Sequence, residues 1–378
     1  MITSHIAEQV REAASRGQAL RITGAGTWLD AGGRVQREPV PLPLADLTGV
    51  VEYTPGDLTL TARAGTTLAE IARVTGAERQ WLALDPHGSD EGTIGATIAT
   101  ASWGPLAHAF GSPRDTVLGL EAVTGEGTII RSGGRVVKNV AGFDITRLLT
   151  GAWGTLGVIT EVSVRLRAMP ECEETIAIAA RDDSAAALTN LFARVRAAAA
   201  APWALELVSP ALAATLGVAV HTVLLARIGG NETSVRAQRA ALAAVGSTTT
   251  VPDSVWAALR GCEPRGAAVE RASLEPSSLP DLWQMVREAF AHSSGAFAHA
   301  NVGRGVVRYV LPSSDSARML WLFHGGAGAG SGCTCIPERR PEGLDDWNPR
   351  GDDMLSRRAR DAFDPKRILN CGIMGVEK

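Results

Sequence analysis

The sequence lacks any uninterrupted apolar run of the roughly 20 residues that a membrane-spanning helix needs. It also lacks a surplus of either charge, because 37 Lys and Arg residues face 40 Asp and Glu residues, for a formal net charge of -3. This balance gives no reason to expect nucleic acid or an anionic membrane as the main partner. The first residues, MITSH, show no basic stretch followed by an apolar one, so we expect a cytoplasmic protein.

Cysteine is scarce, and the residues are Cys172, Cys262, Cys333, Cys335 and Cys371. An odd number at irregular spacing suits a reducing compartment better than a disulfide framework. Cys333 and Cys335 are the only close pair, and the C-x-x-C runs that usually hold iron–sulfur clusters are absent. We interpret these thiols as mostly structural or incidental.

Glycine, in contrast, is enriched, with 41 residues among 378 against a usual share of about 7%. Many fall in three segments of the first half: RITGAGT (21–27), GTIGA (92–96) and GAWGTLGVI (151–159). A pyrophosphate needs close approach by several backbone N–H groups, and glycine permits both that approach and the positive φ angles it requires. One such loop would more simply be a tight turn between strands. Three in this order predict one surface that holds a dinucleotide.

The first of these segments departs from a Rossmann fingerprint. That fingerprint would continue directly into a long helix, whereas here the chain runs into TWLDAGG (27–33). With 45% hydrophobic and 20% charged residues, the chain can bury a large core, and its length favours two or three folding units.

Hydrophobic periodicity predicts an alternation of strands and helices in the first half. Helices are expected at 6–15 and 66–75, the second with Thr67 and Glu70 in capping-box register, and strands at 20–23, 49–53 and 58–63. Farther along, strands are expected at 175–179, 204–208, 221–228 and 305–311, and helices at 184–200 and 234–245. This second group predicts a sheet covered by two helices. Residues 325–349 are rich in Gly, Ser, Pro and charge and predict a linker.

The order of motifs between Ala19 and Arg167 resembles the FAD-binding domain of the vanillyl-alcohol oxidase / p-cresol methylhydroxylase superfamily. The motifs that carry the likeness are R-x-x-G-x-G-T, VEYTPGDLTLTARAGTTLAEI, LDPHGSDEGTIGATIAT, GSPRDTVLGLEAVTGEGTI and VKNVAGFDITRLLTGAWGTLGVITEVSVRL. The ending FDPKRILNCG resembles the F-D-P-x-x-I-L-N-P-G of the superfamily, with Cys371 where proline is usual. The resemblance implies an α+β fold, in which a two-part FAD-binding domain carries a ferredoxin-like cap domain. The implied domains are 1–170 for FAD, 171–325 for the cap, and 326–378 as a linker and returning segment.

Within the superfamily, GRVVKNVAGFD (134–144) is similar to the block G-x-x-V-M-K-N-V-A-G-Y-D of the FAD-binding E subunits of bacterial glycolate oxidase, with Phe143 in place of tyrosine. This likeness implies a subunit of a glycolate (2-hydroxy acid) dehydrogenase. Its partners would be a catalytic flavoprotein subunit and an iron–sulfur subunit, with possible peripheral association at the inner face of the membrane through the complex.

The resemblance also implies which residues hold FAD. Backbone donors of the first loop would face the pyrophosphate, the second segment would form an opposite wall and pass the flavin, and the third would reach adenine and ribose. The implied set is Thr23, Gly24, Ala25, Gly26, Thr27, Trp28, Pro86, His87, Gly92, Thr93, Ile94, Gly95, Ala96, Thr100, Ser102, Gly104, Lys138, Gly154, Thr155, Gly157, Val158, Ile159 and Asn370.

The flavin is predicted to be noncovalent. Many relatives attach it through a histidine just after the first loop or a cysteine in the second. Here Trp28 takes the first place, and no cysteine lies between Glu91 and Arg114.

The catalytic face departs from that of related 2-hydroxy-acid dehydrogenases. Their substrate-binding arginine and threonine are replaced by Val137 and Ala141, and a valine has neither the charge nor the fork geometry to hold a carboxylate. Their H-x-G-x-G-x-x-H metal pattern keeps only His299, so we predict no metal site and interpret His299 as a hydrogen-bonded strand residue. His324 is a similarly isolated histidine.

Three functions stay open at this stage. The first is a flavin relay between a catalytic flavoprotein and an iron–sulfur subunit. The second is an autonomous dehydrogenase in which His299, Arg304 or Arg308 holds a small acid, and the third is a structural scaffold with a non-catalytic FAD site.

Two further alternatives concern the roles of individual side chains. Arg114 and Asp115 form either a buried pair or a helix cap with a surface ion pair, and Lys138 either neutralises FAD or is a solvated strand end.

Overall fold

A computed structural model of the protein describes residues 2–33, 35, 38–134, 144–290, 293–311, 333–339 and 353–375. The chain divides into two compact units. The first comprises Met1–Gly104, Gly111–Met169 and Asp346–Lys378, and the second comprises Pro105–Phe110 and Pro170–Asp345. Within the described ranges, no helix is both long and apolar enough to cross a bilayer.

The described helices are α1 (Thr3–Arg16), α2 (Leu68–Gly76), α3 (Ile94–Thr100), α4 (Ala107–Phe110), α5 (Pro113–Thr116), α6 (Ile145–Leu149), α7 (Ala185–Ala197), α8 (Pro210–Thr215), α9 (Glu232–Ala243), α10 (Ser254–Arg260), α11 (Leu279–Phe290) and α12 (Met354–Phe363). Short 3-10 helices lie at Pro55–Asp57 and Pro276–Ser278.

The described strands are β1 (Leu20–Thr23), β2 (Val40–Pro43), β3 (Val50–Thr54), β4 (Thr59–Arg63), β5 (Gln80–Trp81), β6 (Val117–Val123), β7 (Ile129–Gly133), β8 (Val158–Arg165), β9 (Arg167–Ala168), β10 (Cys172–Ala179), β11 (Ala204–Val208), β12 (Val223–Gly230), β13 (Thr248–Val251), β14 (Ala268–Ser273), β15 (Phe297–Asn301), β16 (Val306–Leu311) and β17 (Thr334–Arg339).

The first unit is built on a five-stranded antiparallel sheet with the order β3-β4-β8-β6-β7. The central strand β8 alternates buried and half-buried residues along its second half, as a strand with one covered face should. Helices α2 and α3 cover that face, where Ile71 and Ile98 join Leu60 and Val162 in one apolar core. The sheet therefore fixes the position of α3, which begins within the second glycine segment.

Both ends of the described chain meet at β1. Leu20 donates its N–H to the carbonyl of Ile368 at 2.7 Å, and the N–H of Asn370 donates to the carbonyl of Leu20 at 3.0 Å. Helix α1 buries Ile6 and Val10 in the same apolar core as Leu20. The strand that precedes the first glycine loop is thus held by β2, by α1 and by residues near the end of the chain.

The second unit is built on an eight-stranded antiparallel sheet with the order β13-β10-β12-β11-β15-β16-β14-β17. Successive residues of β10 enter two different cores, because side chains alternate between the faces of a strand. Ile176 and Ile178 lie in one core with α7, α9 and α11, whereas Ala177 lies in the other with α8 and α10. Trp283 of α11 is fully buried in the first core.

The structure confirms the predicted fold class and enlarges the predicted cap. The strand predicted at 204–208 is β11 with the same bounds. The helix predicted at 184–200 ends earlier, at Ala197, because Ala198 is already extended and a proline follows at position 202. The prediction of a sheet covered by two helices was wrong in extent, since the described sheet has eight strands and packs against helices on both faces.

Candidate functional site

The first glycine loop presents a row of backbone donors. It begins where β1 ends at Thr23, and Gly26 has a φ of 73°, which favours glycine. No hydrogen bond within the described part of the chain engages the backbone N–H groups of Gly24, Ala25, Gly26 or Thr27. Four consecutive amides without internal partners need water or a bound acceptor, and consecutive amides suit an anion.

The second glycine segment forms a wall that touches the first. The hydroxyl of Thr93 accepts from the N–H of Ala96 and so caps α3, while Gly95 donates to the carbonyl of Ala64 at 2.9 Å. A side chain on Gly95 would place its Cβ 2.5 Å from that of Ala64. A Cβ on Gly24 would collide with the hydroxyl of Thr93. Glycine at both positions lets the two walls approach closely.

The third glycine segment is joined to the end of the chain. Gly154 has a φ of 71°, and a Cβ there would lie 2.9 Å from Nδ2 of Asn370. That amide nitrogen donates to the carbonyl of Trp153, while Oδ1 of Asn370 accepts from the N–H of Ile22, both at 2.8 Å. Asn370 therefore connects the third segment to the strand before the first loop.

The three segments line one cavity that is open to solvent on one side. Its wall includes apolar groups such as Leu44, Ala64, Ala99 and Ile159. Fourteen of the residues predicted to hold FAD line it: Thr23, Gly24, Ala25, Gly26, Thr27, Trp28, Thr93, Gly95, Ala96, Thr100, Gly154, Gly157, Ile159 and Asn370.

Other predicted cofactor residues lie outside the lining of this cavity: Pro86, His87, Gly92, Ile94, Ser102, Gly104, Thr155 and Val158. Ile94 and Val158 face apolar cores, because each lies on the covered side of its helix or strand. Lys138, Val137 and Ala141 lie outside the described residues. Arg21 also lines the cavity, although the sequence prediction began at Thr23 and gave it no role.

The residues of the cavity fit FAD. The unpaired amides of Gly24 to Thr27 suit a diphosphate, and the close contact of the glycine walls leaves a narrow cradle for it. Trp28 and Trp153 supply aromatic surface, and Ala64, Ala99 and Ile159 supply an apolar wall for a flat ring. When bound, FAD supplies the reversible acceptance of electrons, whereas the chain binds and orients it.

The Arg114 and Asp115 side chains serve different partners. Asp115 accepts from both the N–H and the hydroxyl of Ser112 and so caps α5. Arg114 donates Nε and Nη2 to the carbonyl of Thr150, at 3.3 and 3.1 Å. Arg114 thus ties α5 to the residue before the third glycine segment.

The sheet of the second unit carries buried polar side chains. Nδ1 of His299 on β15 lies 3.0 Å from Oε2 of Glu206 on β11, and both side chains are at most 3% exposed. Arg308 on β16 is the residue paired with His299 in register. His299 therefore has a hydrogen-bonding partner within the sheet.

Arg308 is enclosed by carboxylates. Its Nε donates to Glu263 at 2.9 Å, and its Nη1 donates to Glu338, which also pairs with Arg271. Burial alone would lower the pKa of Arg308, but the charges of Glu263 and Glu338 raise it above its usual value. Arg339 completes the group at 3.3 Å from Glu263.

Arg304 also has a structural partner. Its Nε donates to the carbonyl of Ala107 at 2.8 Å, which ties the turn after β15 to α4. On α4, burial lowers the pKa of His108, while a hydrogen bond with Asn301 raises it and the charge of Arg304 lowers it further. His324 lies outside the described residues.

Comparison with known proteins defines the class of the first unit. Residues 3–133 match the family model described as FAD binding domain. The solved structure of alkyldihydroxyacetonephosphate synthase superposes with a TM-score of 0.72, covering 97% of this chain and 74% of that chain at 16% identity. For 4-ethylphenol oxidase from Gulosibacter chungangensis, the TM-score is 0.70, covering 99% of this chain and 88% of that chain at 16% identity. The fold is that of the vanillyl-alcohol oxidase / p-cresol methylhydroxylase type, and FAD is the cofactor of its binding domain.

Curated relatives extend the likeness. The chain is 39% identical over 164 residues to the glycolate oxidase subunit GlcE of Escherichia coli, covering 43% of this chain and 46% of the relative. It is 35% identical over 166 residues to the glycolate oxidase subunit GlcD of Bacillus subtilis, covering 44% and 35%. It is 37% identical over 144 residues to D-lactate dehydrogenase of Archaeoglobus fulgidus, covering 38% and 32%. The matches span less than half the length of these relatives.

Proposed function

We propose that this chain is an FAD-dependent oxidoreductase acting on CH–OH groups as one subunit of a multi-subunit glycolate (2-hydroxy acid) dehydrogenase. As a complex, the enzyme would oxidise glycolate to glyoxylate. The flavin of this chain would relay electrons from a catalytic flavoprotein subunit to an iron–sulfur subunit. The likeness to proteins named glycolate oxidase subunits supports the assembly.

The relay role rests mainly on the engagement of the arginines in the second unit. A 2-hydroxy acid needs a cation to hold its carboxylate, best as a bidentate arginine. Arg308 is held between Glu263 and Glu338, and Arg304 donates to the carbonyl of Ala107. Recruiting Arg308 to a substrate would remove it from two buried carboxylates, which would then keep only Arg271 and Arg339 as partners. Arginines that are already engaged in the second unit favour electron transfer over substrate binding.

The proposed location follows from the proposed assembly. We expect a cytoplasmic protein whose complex associates with the inner face of the membrane through a partner subunit. Fractionation of cells should place the chain with the membrane only when its partner subunits are present.

The first experiment is an anaerobic visible spectrum of the chain purified alone, before and after addition of glycolate and then D-lactate. The relay function predicts a yellow protein whose flavin band stays oxidised with either acid. Addition of the catalytic flavoprotein subunit together with glycolate should then bleach that band. A band that still stays oxidised in the assembled complex would contradict the relay.

A second candidate function is favoured by one observation. His299 and Glu206 form a buried pair in which a carboxylate orients an imidazole, the arrangement of a general base with its positioning residue. An autonomous dehydrogenase would use His299 to take the hydroxyl proton. Bleaching of the flavin by the lone chain would support it, provided that His299→Asn abolishes the bleaching and Glu206→Gln shifts its pH dependence. A colourless chain that binds no FAD would instead favour a scaffold.

A further inference from the structure

The FAD cavity is lined almost entirely by uncharged residues. Among the described residues that line it, Arg21 carries the only charged side chain. FAD brings two negative charges on its diphosphate into the same space. Backbone amides supply partial positive charge, but a full cation near a diphosphate forms shorter and stronger hydrogen bonds than a neutral donor does.

Arg21 is also placed beside the loop that carries those amides. It lies on β1, three residues before Gly24. Its Nη2 reaches the carbonyl of Leu29, in the chain just after the loop, only at a long 3.5 Å. Its Nη1 is buried and has no hydrogen-bond partner in the described part of the chain.

A buried guanidinium nitrogen without a partner is costly, and proteins seldom retain one without a reason. Burial lowers the pKa of Arg21, which is the signature of a cation held away from water without a matching anion. A bound diphosphate would satisfy Nη1 and remove this penalty. Arg21 therefore offers both a hydrogen-bond donor and a positive charge that a diphosphate would complement.

We propose that Arg21 recognises the diphosphate of FAD and makes the site select the dinucleotide over riboflavin. Arg21 supplies charge and directed N–H groups from the strand, and the glycine loop supplies amides from the backbone. This inference rests on FAD as the ligand and not on the electron relay, so binding to the isolated chain tests it whatever the outcome of the relay experiment.

The test compares ligand affinities of the flavin-free chain for wild type, Arg21→Met and Arg21→Lys. Titration calorimetry would give Kd for FAD, ADP and riboflavin. Loss of a charge-assisted hydrogen bond should weaken FAD and ADP on the order of 10- to 100-fold in Arg21→Met and leave riboflavin within about twofold. Arg21→Lys should recover part of the loss, because the charge remains while the fork geometry does not.

Arg16→Met is the matched control. Arg16 is exposed at the end of α1, where it pairs with Glu12, and its removal changes the net charge of the chain by the same amount. Its Kd for FAD should equal that of wild type. Equal weakening in both variants would indicate a general effect of net charge and would overturn the proposal.

The stability of the flavin-free protein gives an independent readout. If Arg21 were purely structural, Arg21→Met should lower the Tm of the flavin-free chain. If Arg21 instead binds the ligand and has no anion of its own in the protein, Arg21→Met should leave the Tm of the flavin-free chain unchanged or raise it. The increase in Tm that FAD causes should then become smaller. A lower flavin-free Tm with unchanged FAD affinity would refute the proposal.

Wild-type protein alone keeps the inference testable if the variants do not fold. The Kd for FAD should rise with salt concentration, and the Kd for riboflavin should not, because only the former contact involves paired charges. Parallel salt dependence for the two ligands would contradict recognition of the diphosphate by a cation.

Discussion

The side chain of Asn370 accepts a hydrogen bond from the backbone N–H of Ile22 at 2.8 Å, across 348 residues of sequence. The same amide donates to the carbonyl of Trp153. One buried side chain thereby fixes the strand before the first glycine loop to the third glycine segment. The shape of the FAD cavity depends on this junction.

Replacement of Asn370 should therefore reduce both stability and cofactor binding. Asn370→Ala leaves the N–H of Ile22 and the carbonyl of Trp153 without this partner, at a cost of about 2 to 4 kcal/mol in the free energy of unfolding. Chemical denaturation and FAD titration would measure the two effects. Asn190→Ala, at an exposed position of α7, should stay within about 0.5 kcal/mol of wild type. An Asn370→Ala protein with wild-type values would show that the junction is dispensable.

Gly24→Ala should abolish FAD binding with only moderate loss of stability. Its methyl group would collide with the hydroxyl of Thr93 and force the two glycine walls apart. Titration with FAD checks this, and Gly56→Ala serves as control, because nothing lies within 4 Å of a Cβ at Gly56.

A second substitution tests the cause of that loss. Removing the obstructing hydroxyl in Gly24→Ala/Thr93→Ala should restore part of the affinity, so that the two changes are not additive. If the double variant instead loses as much FAD affinity as the two single variants together, the contact between position 24 and Thr93 is not the cause of the loss.

His108 should make the stability of the second unit depend on pH. Because burial lowers its pKa below the usual value of about 6.5, the folded state binds fewer protons than the unfolded state as the pH falls. The contribution of His108 to the free energy of unfolding is therefore fully present above pH 6.5, and it is lost as the pH falls through the lowered pKa.

Thermal unfolding of wild type and His108→Gln at pH 8, 6.5 and 5 would reveal this contribution. The Tm of wild type should fall relative to that of the variant between the two lower values. The exposed His5 gives the control His5→Gln, whose Tm should track wild type. Parallel curves for wild type and His108→Gln would rule out a role for this histidine.

Arg308→Met should destabilise the protein strongly. It leaves the carboxylates of Glu263 and Glu338 buried without their central cation, a loss of about 3–5 kcal/mol. Arg236→Met, which breaks only an exposed pair with Glu232, should cost less than about 1 kcal/mol. Urea denaturation distinguishes them. Similar small losses in both variants would mean that the carboxylates gain protons or water at little cost.

Noncovalent attachment of the flavin is checked by denaturation. Trp28 lines the cavity at the place where covalent relatives carry a histidine, and a tryptophan offers no nucleophile for a flavin. Precipitation with acid should leave a colourless pellet and release all of the FAD into the supernatant. Yellow colour that stays with the pellet would refute the prediction.

Sequence alone predicted the parts of the site that are local in the chain. Thr67 caps α2 by accepting from the N–H of Glu70, as the capping-box spacing indicated. The glycine segments were visible because their function depends on backbone access, which restricts residue type at adjacent positions. The shared order of the segments then indicated a single cradle, and the structure brings residues of all three to one cavity.

The roles of residues that act with partners distant in sequence could not be predicted in the same way. In the sequence, nothing distinguishes Arg21 from an ordinary strand residue. Only the fold shows that it lines the cavity. Glu206 and His299 are 93 residues apart, and neither is flanked by a pattern that indicates its partner. Helix α11 did have a detectable signal, since Leu279, Trp283 and Val286 share one buried face at helical spacing.

The pairing of Leu20 with Leu369 joins β1 to a segment that is synthesised long after it. A nascent chain still attached to the ribosome before residue 370 emerges contains all three glycine segments, yet its cavity has no Asn370 to join them. We therefore expect the complete cavity to form only after residue 370 has been synthesised. A chain that ended before residue 370 would lack both hydrogen bonds of Asn370, and we expect it to bind FAD more weakly.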